Sequence, residues 1–191
     1  MTNVSIIGTG SMGQAIANLV TAGGGTVELL GRAQADVVPS GDVVVLAVPY
    51  PSLPDVLAAH GSQLAGKVVV DITNPVDFAT FDSLTVAPDG SAAAEIAAAV
   101  PDARVVKAFN TTFAGTLASG TVGSQPTTVL LAGDDADAKS AVAALVEAGG
   151  LRAVDAGSLK RARELEAQGF LQLTLAAAEK VSWTGGFAVV S

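Results

Sequence analysis

The chain has 191 residues, half of them hydrophobic and 4% aromatic, and its formal net charge is −8. This length predicts one domain with a sizeable core. The negative charge argues against nucleic acid as a partner, and the absence of cysteine excludes disulfides, thiolate metal sites and a cysteine nucleophile. No stretch reaches the roughly 18 apolar residues of a membrane span. Because the first residues also lack the basic region of a signal peptide, we expect a cytoplasmic protein without a membrane partner.

The chain opens with a strand–turn–helix motif of the kind that holds a pyrophosphate. An apolar run ends at Gly-x-Gly-x-x-Gly, and apolar residues at helical spacing follow. In such motifs the first glycine permits a tight turn, the second lets phosphates approach the backbone, and the third lets the helix pack on the sheet. Free N–H groups at the helix start attract an anion. The residues of this motif that we predict to bind a dinucleotide are Gly8, Thr9, Gly10, Ser11, Met12 and Gly13.

The end of the second predicted strand indicates which dinucleotide is bound. NAD-binding proteins carry an acid there for the ribose hydroxyls, whereas NADP-binding proteins offer an arginine to the 2′-phosphate. Here the strand predicted at 26–30 is followed by Gly31 and Arg32, and its acid, Glu28, lies mid-strand. Gly31 leaves room, and Arg32 supplies a planar donor group that suits phosphate oxygens. We therefore predict NADP(H), with a solvated surface arginine as the alternative interpretation of Arg32.

The next segment is short, and a stiff loop follows it. Ten residues, 33–42, separate Arg32 from the strand predicted at 43–48, whereas a crossover helix needs about a dozen or more. We therefore expect a turn in place of the usual second helix. The proline-rich loop that begins at Pro49 lies at the carboxyl edge of the sheet, where it suits an apolar wall against a nicotinamide ring. Tyr50 is either a general acid or a packing residue, and packing is favoured.

Two further strand ends bring small polar residues to the same edge. The fourth predicted strand exits at Asn74 and Pro75, and the fifth exits at Asn110 and Thr111. Such side chains suit hydrogen bonds to a carboxamide or a ring carbonyl. Capping of the loops themselves is an alternative of equal weight, so the residues alone leave the choice open.

Other candidate groups carry less weight. Asp71 and Asp77 lack a third ligand at suitable spacing, so we predict no metal. His60 is expected at a helix end, where a histidine complements the helix dipole, and a catalytic role is not favoured. The loop 76–90 is either a lid over a flat ligand or a packed excursion, and the sequence does not separate the two.

The remaining elements continue the alternation of helices and strands. We predict helices at 91–100, 136–148 and 158–180, strands at 104–109, 127–133 and 151–155, and a closing turn and strand at 183–190. This order predicts the α/β class, with a Rossmann-type, doubly wound, mainly parallel sheet and a small C-terminal α/β extension. We expect a single dinucleotide-binding domain over 1–191, with a core at 1–112 and an extension at 113–191 packed on it.

Several stretches together resemble the coenzyme F420-dependent NADP oxidoreductases. They are residues 6–13, 46–49, 71–75, 106–111 and 155–163, of which Lys-Ala-Phe-Asn-Thr at 107–111 is the most specific. The resemblance implies NADP(H) and coenzyme F420 as cofactors, with hydride transfer from one stacked ring to the other between nicotinamide C4 and deazaflavin C5. No catalytic residue is then obligatory, because the cofactors carry the chemistry and the protein aligns them. The chain departs from the family in its short segment after Arg32 and in its length.

The resemblance also implies roles for individual residues. Phosphate contacts are implied for Thr9, Ser11, Met12 and Arg32, and ring alignment for Ala47, Val48, Pro49, Asn74 and Asn110. An NADPH-dependent reductase of another small acceptor (a flavin, a metal chelate, an imine or a carbonyl) and a non-catalytic NADP-sensing module are the alternatives. We expect small-molecule partners and, from the apolar tail helix, a homodimer. The sequence decides neither the acceptor nor the direction of transfer.

Overall fold

Helices and strands alternate along the chain in the structure, a computed structural model that describes residues 2–190. The strands are β1 (Asn3–Ile7), β2 (Thr26–Leu30), β3 (Val43–Leu46), β4 (Val68–Asp71), β5 (Arg104–Lys107), β6 (Thr121–Val122), β7 (Gln125–Pro126), β8 (Thr128–Gly133) and β9 (Arg152–Gly157). The helices are α1 (Ser11–Ala22), α2 (Leu53–His60), α3 (Ala92–Ala99), α4 (Ala114–Ser119), α5 (Ala136–Ala148) and α6 (Ala162–Ala177). Residues 1 and 191, the ends of the predicted domain, lie outside the described range.

Seven of these strands form one sheet, in the order β2-β1-β3-β4-β5-β8-β9. The first five are parallel to their neighbours, so their carboxyl ends meet at one edge. β8 pairs antiparallel with β5, and β9 runs parallel to β8, so the two strands of the extension oppose the other five. The predicted fold class, a mainly parallel Rossmann-type sheet, is confirmed. A small hairpin of β6 and β7 lies apart from this sheet and was not predicted.

The short strands are buried on both faces, and their side chains alternate between two cores. Val43 and Val45 lie in the core that contains α1, α4 and α5, whereas Val44 and Leu46 lie in the core that contains α2 and α3. This burial on both sides explains the unbroken valine runs of the sequence, which are typical of parallel strands covered by helices.

Hydrogen bonds replace the missing crossover helix between β2 and β3. As expected, only one short 3-10 turn, Arg32–Gln34, forms there. The Glu28 carboxylate accepts hydrogen bonds from Ser5 Oγ at 2.6 Å and from Ser40 N at 2.9 Å. These bonds lower the pKa of Glu28, with the Ser5 hydroxyl contributing most. Glu28 therefore ties the irregular segment 35–42 to the sheet.

The C-terminal end differs from the prediction. The tail helix ends at Ala177, and the strand predicted at 183–190 is wrong, because this part of the chain is irregular. Its backbone bonds to side chains instead of to the edge strand β9: Phe187 N donates to Gln172 Oε1 at 3.0 Å, and Val189 O accepts from Arg152 Nη1 at 3.4 Å. Within residues 2–190, no helix is both long enough and apolar enough to cross a bilayer.

Candidate functional site

The three glycines of the opening turn are needed for different reasons. Gly8 has a φ of 120°, and a Cβ there would overlap Ala47 O. A Cβ on Gly13 would overlap Gly8 O, so both positions are restricted to glycine by the protein's own packing. Gly10 is different: its φ of −71° suits any residue, and a Cβ there would meet no protein atom within 4 Å. The space beside Gly10 is therefore open for a ligand.

The start of α1 forms an anion site next to that space. The first hydrogen bond of the helix runs from Gln14 N to Gly10 O at 2.9 Å, which leaves the N–H groups of Ser11, Met12 and Gly13 ahead of it. The first turn of α1 contains no acidic residue that would compete for these donors. Free N–H groups and the positive end of the helix dipole together favour a phosphate at this position.

A cleft of about 610 Å³ runs from this turn along the carboxyl edge of β1, β2 and β3. It is lined by eight of the predicted residues, Gly8, Thr9, Gly10, Gly31, Arg32, Ala47, Val48 and Pro49. The Arg32 side chain is exposed and makes no hydrogen bond or ion pair with any residue in 2–190. This cleft, called the first cleft below, thus combines a phosphate-binding turn with an unpaired guanidinium at its far end. Its residues fit a dinucleotide that carries a 2′-phosphate.

Two titratable side chains near the first cleft are engaged within the protein. His60 is 3% exposed, and its Nδ1 lies 3.3 Å from Gln63 Oε1. The Tyr50 hydroxyl donates to Glu95 Oε2 at 2.7 Å. Burial, and then the bond to Glu95, raise the pKa of Tyr50 to about 12. An acid with so high a pKa is a poor proton donor near neutral pH, which agrees with the packing interpretation of Tyr50.

A second cleft of about 390 Å³ begins on the other side of the α1 start. It is lined by Ser11, Met12, Ile72, Asn74, Phe109, Asn110, Thr112, Phe113, Ala114, Gly115, Leu173 and Trp183. None of these side chains is an acid, a basic residue, a histidine or a tyrosine, and the polar groups are two amides, two hydroxyls and the indole N–H of Trp183. The second cleft can therefore hold an apolar, flat ligand, but it offers no strong acid or base.

The structure divides the predicted site residues between the two clefts. Ser11, Met12, Asn74 and Asn110 line the second cleft, and eight others line the first. Three predicted residues line neither cleft. Gly13 packs under the turn, Pro75 O accepts hydrogen bonds from Thr85, and Thr111 O accepts from Gln172.

The two asparagines are held by each other and by α6. Asn110 Nδ2 donates to Asn74 Oδ1 at 2.9 Å and to Leu165 O at 2.8 Å, and Asn74 Nδ2 donates to Asn110 O at 2.8 Å. α6 approaches so closely that a Cβ on Gly169 would overlap Asn74 Oδ1. The orientation of both amides at the second cleft therefore depends on where α6 lies.

A strained turn delivers Asn110 to this position. Phe109 has a φ of 61°, and Asn110 N donates to Ala108 O at 2.8 Å, so the chain makes a tight turn immediately beyond β5. A buried phenylalanine rarely adopts positive φ, and such strain is kept where a site requires it. The turn ends the strand two residues earlier than predicted and directs Asn110 towards α6.

A buried ion cluster lies behind the clefts, and the sequence analysis missed it. Lys107 Nζ lies 2.8 Å from Asp71 Oδ2 and 2.7 Å from Glu166 Oε1, and all three side chains are 0% exposed. Glu166 also accepts from the backbone N of Ala92 at 3.0 Å, at the start of α3. Burial raises the pKa of Glu166, although Lys107 acts in the opposite direction. Asp71 lies beside Lys107 because β4 and β5 are neighbours in the sheet, and the sequence alone does not show this pairing. The sequence analysis therefore considered Asp71 only as a possible metal ligand.

Several known proteins similar to this chain are F420-dependent NADP reductases, and another is the metalloreductase STEAP3 of Rattus norvegicus, 36% identical over 70% of this chain and 26% of that protein. Residues 25–75 match the family described as NADP oxidoreductase, coenzyme F420-dependent. The F420-dependent NADP reductase of Methanocaldococcus jannaschii is 31% identical over 144 residues, covering 73% of this chain and 64% of that protein. The F420-dependent NADP reductase of Methanothermobacter thermautotrophicus is 35% identical over 156 residues, covering 78% of this chain and 66% of that protein.

A solved structure supports the same assignment over the whole fold. A candidate F420-dependent NADP reductase from Arthrobacter sp. FB24 superposes with a TM-score of 0.86 at 26% identity, covering 100% of both chains. The matched region spans slightly less than two thirds of the length of the two curated relatives above. The family match at 25–75 includes Arg32 and the wall of the first cleft at 47–49. The chain is thus similar to coenzyme F420-dependent NADP oxidoreductases, in sequence over 73% and 78% of its length with the two curated relatives and in fold over all of it.

Proposed function

We propose that this chain is an NADP-dependent oxidoreductase that transfers a hydride between NADP(H) and coenzyme F420, with the two rings stacked at the carboxyl edge of the sheet. The observation that carries the proposal is the pair of clefts that meet at the start of α1. One cleft has the donors for a phosphorylated dinucleotide, and the other is largely apolar and has no strong acid or base. The names of the relatives support the same pair of cofactors.

The chain's residues would bind the dinucleotide through backbone donors and one cation. The N–H groups at the start of α1 take the diphosphate beside Gly10, where the missing side chain leaves room. Arg32 takes the 2′-phosphate, because its guanidinium has no other partner in the described range. Val48 and Pro49 bound the apolar part of the first cleft and limit where the nicotinamide lies.

The chemistry proposed here asks little of the protein beyond alignment. When bound, the two cofactors supply the carbon that gives the hydride and the carbon that accepts it. The protein holds both rings in contact and keeps them from turning, a contribution that reaches about 7–11 kcal/mol in well-oriented systems. Each kind of acceptor takes up one proton besides the hydride. A deazaflavin can take it from solvent, because its charge is delocalised over the ring, whereas an imine or a carbonyl requires a proton donor next to the product nitrogen or oxygen. The lining of the second cleft offers only weak donors for that step, such as the Ser11 hydroxyl, and the Thr112 hydroxyl already donates to Phe109 O at 2.8 Å.

Steady-state kinetics with purified protein test the proposal. We expect NADPH to be oxidised when oxidised F420 is present, with one NADPH consumed per F420 reduced. The Gly10→Val variant is the control, because its side chain would enter the phosphate position and its Cβ would meet no protein atom within 4 Å. This variant should keep the wild-type melting temperature and lose turnover. Turnover with FMN, an imine or a carbonyl but not with F420 would contradict the assigned acceptor, and full activity of Gly10→Val would contradict the assigned dinucleotide site.

A further inference from the structure

Trp183 is a large aromatic side chain that lies half in the open at the second cleft. Its side chain is 52% exposed, although it belongs to the lining of a largely apolar cavity. One side of the indole packs on Phe113, with ring centroids 5.0 Å apart and planes tilted by 55°. Phe113 is itself buried, so it forms a fixed support beneath the indole. Exposure of this apolar surface to water is unfavourable in free energy, and a ligand bound in the cavity would cover it.

The irregular tail holds Trp183 in place through several separate contacts. Gly115 at the start of α4 lets the tail cross closely, since a Cβ there would lie 3.1 Å from Trp183 O and 3.0 Å from Thr184 Cγ2. Beyond it, a turn closes from Gly185 N to Ser182 O at 2.8 Å, and Gln172 accepts the hydrogen bond from Phe187 N. Because Gln172 is 2% exposed and also donates to Thr111 O, the tail is anchored in the interior. These contacts therefore hold the backbone of Trp183 so that its indole lies at the cleft.

The other residues that line the second cleft have the character of a site for a flat ring. Met12 and Leu173 provide apolar contacts, and the oriented amides of Asn74 and Asn110 lie at the polar side. An aromatic side chain in the lining of such a cavity favours planar, electron-poor rings, which stack on indole at an offset. Small aliphatic imines or carbonyls would gain little from this contact.

We propose that Trp183 is a specificity-determining residue: it stacks against the ring of the acceptor and selects a fused heteroaromatic acceptor of the flavin or deazaflavin class over small aliphatic acceptors. This inference rests on the proposed function and adds a residue from the irregular tail to the site. The contact is made by side-chain packing alone, so Trp183 positions the acceptor and takes no part in proton or hydride transfer.

Fluorescence gives a direct test, because the chain contains one tryptophan. We expect oxidised F420, added to protein saturated with NADP⁺, to quench the Trp183 emission in a saturable manner. FMN, which carries a ring of the same shape, should quench it as well, with weaker affinity. If the Trp183 emission decreased only linearly with the concentration of F420, as the emission of free tryptophan does in the same solutions, the inference would be overturned.

Kinetics of matched variants provide the second measurement. Trp183→Ala should raise the KM for the acceptor about tenfold or more, since an aromatic stacking contact with its buried area is worth roughly 1.4 kcal/mol or more. Trp183→Phe should restore most of this loss, and the Kd for NADPH should change less than about twofold in both variants. Phe187→Ala is the control, because this neighbouring aromatic is also exposed in the tail but lines neither cleft.

The outcomes separate this inference from the proposed function. Normal turnover of F420 by Trp183→Ala with an unchanged acceptor KM would leave the function intact and overturn the role of Trp183. If wild-type protein fails to reduce F420, the proposed function is wrong. The fluorescence titration with F420 and FMN then still decides whether a flat ring binds beside Trp183.

Discussion

We propose that the choice of NADP(H) over NAD(H) depends on Arg32. Its guanidinium has no partner in the described range, so replacing it does not break an internal ion pair. A charge-assisted contact with phosphate is worth about 1.5–3 kcal/mol, which corresponds to about tenfold or more in Kd. We therefore expect Arg32→Glu to weaken NADPH binding by at least about tenfold and to leave NADH binding unchanged, as measured by titration of the reduced nicotinamide fluorescence.

Arg163→Glu is the matched control for this prediction. Arg163 is an exposed arginine on α6 that lines neither cleft, so its reversal changes the net charge of the protein by the same amount. This variant should bind both nucleotides like wild type. If Arg32→Glu weakened NADPH and NADH equally, Arg32 would not contact the 2′-phosphate.

The pKa of Tyr50 leads to a prediction about stability at alkaline pH. Burial and the bond to Glu95 raise this pKa from 10.0 to about 12 in the folded protein. A group whose folded pKa is raised stabilises the protein fully below its unfolded pKa, and the contribution is lost as the pH rises through the folded pKa. The free energy of unfolding should therefore fall between pH 10.0 and about 12 more steeply for wild type than for Tyr50→Phe. Urea unfolding at several pH values measures the two slopes, and identical slopes would contradict the raised pKa.

At the scale of secondary-structure elements, the cluster around Lys107 joins β4, β5, α3 and α6. Removing one partner of a buried ion pair leaves an uncompensated charge and costs about 3–5 kcal/mol. In Lys107→Met, the buried carboxylates of Asp71 and Glu166 would face each other without a cation. We expect this variant to lose about 3–5 kcal/mol of unfolding free energy, as measured by urea denaturation.

An exposed ion pair provides the comparison. Lys139 lies 2.8 Å from Asp155, but the two side chains are 15% and 56% exposed. Solvent screens such a pair, so Lys139→Met should cost no more than about 1 kcal/mol. Equal losses in the two variants would mean that burial does not set the strength of the Lys107 cluster.

The elements that could be predicted are those whose signals are local. β2 and α5 begin and end as expected, because glycine turns or an aspartate cap bound them. The tail could not be predicted in this way. Its apolar residues at 183–190 are typical of a strand, yet Gln172 of α6 takes the backbone N–H of Phe187, a partner that lies distant in sequence. The reversed direction of β8 and β9 likewise depends on contacts between distant segments.

The same distinction applies to the candidate site. The sequence predicts the phosphate-binding turn from Gly8 to Gly13, because its residues are consecutive and form a known motif. Arg32 is predicted as a binding residue because it directly follows the second strand. Trp183 and Glu166 reach the site region only because α6 and the tail fold back over the end of β5. No motif marks either residue, and the Asn74–Asn110 pair is apparent only once β4 and β5 lie side by side.

At the scale of the whole molecule, the contacts between the predicted core and extension lead to a prediction about cooperativity. Glu166 and Leu165 of α6 bond to Lys107 and Asn110, and β8 continues the sheet from β5. The ion pair joins Lys107 of the core to Glu166 of the extension, and both side chains are fully buried. If either part unfolded alone, the other would lose the partner of a buried charge, which is unfavourable. We therefore propose that residues 1–112 and 113–191 form a single cooperative unit.

Urea unfolding followed by two probes tests this proposal, because Trp183 lies in the extension and far-UV circular dichroism reports on all helices and strands. A two-state transition requires the two probes to give the same midpoint and the same slope. We expect them to coincide in wild type. In Lys107→Met, which lacks the ion-pair link, the fluorescence midpoint should shift to lower urea by at least as much as the circular dichroism midpoint. In wild type, a fluorescence transition that precedes the circular dichroism transition would show that the extension unfolds first, and the Lys107 cluster would then not couple it to the core.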